Sequence, residues 1–161
     1  DRSLTKLYDS KDSHYAIKYP ASWEYDASDK GTVIFSGRPG SPSYYSTINI
    51  QTILTKKTGG EYATVKQFIA DIRKQASAQS KGVKFLENGP ITLPQTNGDK
   101  MSGEYLIFSY QYHGMAFKQW QIVVLRNDAQ VFYAWAYTAP LEQYDVDLSI
   151  AKKMLESWSV Y

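Results

Sequence analysis

Three long strand-like segments late in the chain, between residues 100 and 138, are apolar on both faces. They run from about Lys100 to Tyr112, Ala116 to Arg126 and Gln130 to Thr138, joined only by His113-Gly114 and Asn127-Asp128. Joins this short force antiparallel neighbours, so the block reads as a meander. In the middle segment Trp120, Ile122 and Val124 point one way, while Phe117, Val123 and Leu125 point the other. In the last, Val131, Tyr133, Trp135 and Tyr137 oppose Phe132, Ala134 and Ala136. A sheet wet on one side alternates apolar with polar residues. This one does not, so both of its faces need a cover.

Two amphipathic helices can supply the covers. Thr64 to Ser80 carries Val65, Phe68, Ile69, Ile72 and Ala76 at helical spacing. The second helix falls within Pro140 to Trp158, with a stripe of Leu141, Tyr144, Leu148, Ala151, Leu155 and Trp158. Asp145 or Asp147 is the expected cap of its regular part. The small side chains of Ala134 and Ala136 let a helix approach closely. The expected fold is therefore α+β: a three-layer α/β/α sandwich with a central, mainly antiparallel sheet flanked by two long helices.

Shorter strands precede this block. Tyr15, Ile17 and Tyr19 alternate up to Pro20, Trp23 to Tyr25 and Thr32 to Ser36 follow, and Ser46 to Leu54 is next. Residues 83–93 read as an irregular strand interrupted at Gly89-Pro90. Residues 1–13 are polar and read as a flexible N-terminal arm, leaving 14–161 as a single domain. A chain of 161 residues can bury about 70% of its unfolded surface without staples. It has no cysteine, which excludes disulfides and thiolate metal sites but sets no redox compartment. Eighteen basic and sixteen acidic residues are interspersed, and no Lys/Arg run exceeds two, so the electrostatic footprint of a nucleic-acid binder is missing. The longest apolar run, Val131 to Tyr137, is far short of the about 20 residues of a membrane-spanning helix. The chain opens at Asp1 without methionine and reads as a trimmed product, so a signal peptide or lipid-anchored cysteine would lie upstream.

In the order of these elements and in several local phrases, the chain resembles the PsbP-like family. The phrases are Tyr15-Ala-Ile17-Lys-Tyr19-Pro20 with Trp23, Gly31-Thr-Val-Ile-Phe35, and the strand carrying Asn49. Later come Tyr133-Ala-Trp-Ala-Tyr137 with Ala139-Pro140 and Tyr144, and Leu155-Glu-Ser157-Trp158-Ser-Val160. The resemblance spans about residues 14 to 160, and Trp158 stands where the family usually has phenylalanine. The family includes extrinsic PsbP proteins of photosynthesis, and is related in fold to a Ran-binding nuclear import factor and to DcrB-type bacterial envelope proteins. The resemblance implies the same sandwich and a non-enzymatic binding or accessory role in a bacterial envelope or thylakoid-type lumen. The family's metal binding is not implied, because no ligand set here matches it.

Candidate chemistry is sparse. His14, read as opening the strand that ends at Pro20, and His113 are far apart and lack ligand spacing. His113 precedes Gly114 in a tight turn, where histidine tolerates positive φ. Ser3-Leu-Thr-Lys6 and Ser149-Ile-Ala-Lys152 fit Ser-x-x-Lys, and Lys57-Thr58-Gly59 fits a Lys-Thr-Gly box, but their order and setting are wrong for penicillin-recognising enzymes. The pairs Asp145/Asp147 and Asp26/Asp29 lack the remaining ligands of a calcium loop and read as capping and turn residues. No catalytic residue, metal ligand or cofactor is expected. Tyr44 and Tyr45 adjoin a Gly/Pro loop carrying Arg38, and exposed tyrosine with arginine on a loop is the usual make-up of a contact site. Arg38, Tyr44 and Tyr45 are therefore the expected surface for a protein partner. The expected function is a non-catalytic accessory domain, periplasmic or held extracytoplasmically at a membrane. The alternative is a small-molecule or metal carrier using a cleft between sheet and helix, with a small hydrolase last.

Overall fold

The computed structural model describes residues 2–161. Its centre is a seven-stranded, wholly antiparallel sheet. The strands are β3 (Trp23–Asp26), β4 (Thr32–Gly37), β5 (Thr47–Leu54), β6 (Lys81–Pro94), β7 (Lys100–Tyr112), β8 (Met115–Arg126) and β9 (Val131–Pro140), in the spatial order β3-β4-β5-β9-β8-β7-β6. The expected meander is β7-β8-β9. Its first join is tight because His113 (φ 49°) and Gly114 (φ 77°) both take left-handed conformations, as a two-residue hairpin turn requires. A smaller sheet pairs β1 (Lys6–Ser10) with β2 (Tyr15–Tyr19), and β2 with β10 (Ser159–Val160).

Helix α1 (Val65–Gln79) starts where Thr64 Oγ1 accepts from the Gln67 amide at 3.1 Å, while Gln67 Oε1 reaches back to the Ala63 amide at 2.8 Å. Together these occupy donors that the first turn leaves free. Phe68 and Ile69 of α1 cluster with Val123, Phe132 and Ala134. Helix α2 (Leu141–Ser157) follows directly from β9, and its Tyr144, Ile150, Ala151 and Met154 join Ile122, Val124, Tyr133, Trp135 and Tyr137 in the main core. Successive strand residues face opposite sides, so the even-numbered set on β9 meets α1 and the odd-numbered set meets α2. The molecule is thus mixed α/β, with two helices and a large antiparallel sheet.

Four expectations need correction. The arm over 1–13 is not loose throughout: residues 6–10 form β1, paired from Lys6↔Tyr19 to Ser10↔Tyr15. Of its two apolar residues only Tyr8 turns inward, onto Tyr25 (4.8 Å) and Phe35 (5.7 Å), while Leu7 is exposed, which leaves almost no apolar alternation to read. Next, β6 runs through Gly89-Pro90, which stay in register with Tyr105 and Glu104. It is the outermost strand, so a residue without an amide hydrogen can be accommodated there. The irregularity falls instead between Lys81 and Glu87, where the register shifts twice. His14 (φ 62°) sits in the turn before β2 rather than opening the strand. Lastly, α2 is capped by neither aspartate. It begins at Leu141, which is 53% exposed, and Asp147 lies on its buried face.

Candidate binding surfaces

The loop between β4 and β5 carries Arg38, Tyr44 and Tyr45, and the structure brings all three to one exposed segment. Tyr44 and Tyr45 are 42% and 57% exposed, with their rings edge-to-face at 4.9 Å. The backbone beneath them is closely tied. The Gly37 amide donates to Ser43 O (3.1 Å), the Ser41 amide to Arg38 O (3.0 Å), and the Ser46 amide to Ser43 O (3.1 Å). Gly37 permits this closure, because a Cβ there would meet the Ser43 backbone at 2.5 Å.

Asp147 anchors the loop from below. It is fully buried on α2 and accepts from Ser46 Oγ (2.6 Å), Ser43 Oγ (3.0 Å), Gln143 Nε2 (3.2 Å) and the Arg2 guanidinium (3.2 Å). A buried carboxylate left without such donors is costly. Two of them, Ser43 and Ser46, flank the Tyr44-Tyr45 pair. Asp147 is the buried anchor of this loop that sequence reasoning missed. Its signal was a charged residue in phase with Tyr144, Ile150, Ala151 and Met154, which are its apolar neighbours on one helix face. Asp147→Ala should leave the buried Ser46 hydroxyl without its acceptor and cost about 1–3 kcal/mol, read by urea denaturation, while Asp147→Asn, still an acceptor, should lose less.

A second surface is a cleft of about 390 Å³ between α2 and strands β6 to β8. Ile91, Ile107, Trp120 and Leu148 give it apolar walls, and Glu87, Lys118, Asp145 and Lys152 bring charges to it. The Tyr105 hydroxyl donates to Glu87 Oε2 at 2.6 Å, and this bond raises the phenol's pKa. Burial, with the nearby charges of Asp145 and Glu87, pushes Tyr144 up to about 12. The Lys118 ammonium stands 4.6 Å from the centre of the Tyr144 ring. Trp120 is fixed edge-on against buried Trp135 at 5.1 Å.

The remaining sequence candidates do not converge. His14 lies against Tyr161 and His113 against Tyr112, in separate turns. Ser149 and Lys152 are both exposed on α2. Lys57 and Thr58 belong to a short 3-10 turn, where the Thr58 hydroxyl donates to Thr55 O and Gln130 O at 3.2 Å. Among the described residues no three His, Asp or Glu side chains gather closely enough to hold a metal ion. No helix among them is long and apolar enough to cross a membrane.

No protein-family model and no curated protein matches the chain in sequence. Solved structures do match in shape. Cyanobacterial PsbP (CyanoP) from Synechocystis superposes with a TM-score of 0.64 at 11% identity, over 97% of this chain and 92% of its own. The Ran-binding protein Mog1p of Saccharomyces cerevisiae gives 0.61 at 9% identity, over 98% and 96%. LpqN of Mycobacterium tuberculosis, described as involved in cell envelope biogenesis, gives 0.59 at 12% identity, over 91% and 82%. At these identities the likeness speaks for the fold alone. Superposition over nearly the whole length of these chains shows that this chain has the PsbP-like fold.

Proposed function

We propose that this chain is a non-catalytic binding domain that captures a protein partner through the β4–β5 loop, with Tyr44 and Tyr45 as anchors and Arg38 beside them. The observation that carries the reading is the exposed tyrosine pair on a backbone tied at both flanks to a buried carboxylate. Tyrosine offers a large amphipathic contact at low cost in conformational entropy, and a loop already held in place loses little more on binding. The central sheet acts as the middle of three layers, a stiff base between two helices from which the loop projects. An extracytoplasmic location belongs to the same proposal. The likeness to LpqN, a protein of cell envelope biogenesis, supports it, and the likeness to Ran-binding Mog1p supports a protein as the partner.

The test is capture from an extract of the source cells with the immobilised chain. Tyr44→Ala/Tyr45→Ala should weaken capture by about tenfold or more, since anchor residues typically contribute 1–2 kcal/mol or more each. Its melting temperature should stay within about 2 °C of the parent, because exposed substitutions rarely move stability by more than 0.5 kcal/mol. Undiminished capture by the double variant would end this reading.

A further inference from the structure

The cleft beneath α2 is lined by two acids and two lysines, and its inner lysine has no acidic partner among the described residues. Lys118 is half-buried and rests on the Tyr144 ring, with no carboxylate within salt-bridge distance among the described residues. Glu87, in the same cleft, is already engaged by the Tyr105 hydroxyl. An ammonium supported by one aromatic face and otherwise unpaired is a receptive site for an anion. The walls around it are apolar, and Trp120 is held rigid by Trp135. From Tyr144 to Lys152 the cleft follows α2 for eight residues, about 12 Å at 1.5 Å per residue.

We propose that this cleft binds an amphipathic monocarboxylate, its apolar body lying along Ile107, Trp120 and Leu148 and its carboxylate meeting Lys118. The competing chemistries fit less well. The cation seat over Tyr144 is already filled by Lys118, and a ligand ammonium would face both lysines. A phosphate dianion would bring two charges close to Glu87 and Asp145, where like charges repel. A neutral chain would leave Lys118 as unpaired as before. The volume, about 390 Å³, lies in the range of small-ligand sites. This site is separate from the tyrosine loop, so each proposal stands or falls alone.

The experiment titrates dodecanoate, dodecanol and dodecyltrimethylammonium, each below its micelle threshold, into the full chain. Binding is read by tryptophan fluorescence and by calorimetry. Dodecanoate should bind one to one and at least about tenfold more tightly than the other two, the range expected of one charge-assisted contact. Lys118→Met should erase that preference while dodecanol binding persists, which separates loss of the ion contact from loss of the fold. Leu148→Glu should abolish dodecanoate binding, and Tyr44→Ala/Tyr45→Ala should leave it unchanged. Equal affinity for the three probes, no saturable binding of dodecanoate, or an unaltered preference in Lys118→Met would overturn the proposal.

Discussion

Above pH 10 the folded chain should lose stability steeply, and its buried tyrosines should ionise only as it unfolds. Tyr15, Tyr137 and Tyr144 are at most 4% exposed, and burial is the first cause holding each phenol pKa above its ordinary value. Tyr144 is pushed up to about 12, and the other two lie higher. The sign follows from proton counting. Below about pH 10 both states keep these protons and stability is unaffected. Above it the unfolded chain releases them while the folded chain does not, so the equilibrium moves toward unfolding. Each such tyrosine contributes a slope of about 1.4 kcal/mol per pH unit, so three approach roughly 4 kcal/mol per unit. A domain stable by about 5–15 kcal/mol cannot sustain that for long. Urea midpoints measured from pH 9 to 12 should fall sharply beyond 10, with tyrosinate absorbance rising in step with loss of the folded circular dichroism. Tyr137→Phe, which removes one titrating group along with its 2.7 Å bond to Tyr144 O, should flatten the slope by about a third. Smooth ionisation of these groups in a chain that stays folded would refute the account.

Trp135→Ala should be the most damaging single truncation in the core. The indole is completely buried at the centre of β9, between Ile50 on one neighbouring strand and Ile122 on the other. It also forms the back wall against which Trp120 stands. Removing so large a side chain leaves a cavity that a sheet fixed on both edges cannot close, with an expected cost of about 3–5 kcal/mol. At this chain length that corresponds to a melting temperature lower by roughly 10 °C. Its Nε1 has no hydrogen-bond partner among the described residues. Trp135→Phe therefore removes an unpaired donor as well as ring volume and should cost less than half as much. Thermal and urea unfolding of the two variants distinguish these contributions. In Trp135→Ala the cleft wall should also loosen, and dodecanoate affinity should fall with it.

The parts of the fold that were legible in the sequence are those where burial leaves a periodic trace. The β7-β8-β9 meander could be read because Val123 and Phe132 on one face, and Ile122 and Trp135 on the other, are all completely buried. The α1 stripe was legible for the same reason, with Thr64 as its start. Strand β1 was not, since one inward tyrosine in five residues makes no pattern and its place depends on β2. The phase of α2 was misread at Leu141 and Asp147, because an aspartate near a helix start reads as a cap, and its partners Ser43, Ser46 and Arg2 reach it only in the fold. The exposure of Tyr44 and Tyr45 was legible from composition, as paired aromatics next to glycine and proline. The cleft was anticipated only as a place between sheet and helix, since Glu87, Lys118 and Lys152 come from three distant segments that only the folded topology assembles.

The irregular course of β6 bears on how this molecule behaves in a crowd. An open border of a wide sheet is a template on which another copy can add a strand, and repetition of that step builds fibres. Here the long border is broken by two register slips near Lys81 and Glu87, and Pro90 and Pro94 have no amide hydrogen to offer an incoming chain. At the opposite border β3 is only four residues long. Both rims of the sheet are thus poor primers for polymerisation, and the protein can carry a broad greasy interior at high local concentration without knitting to its neighbours.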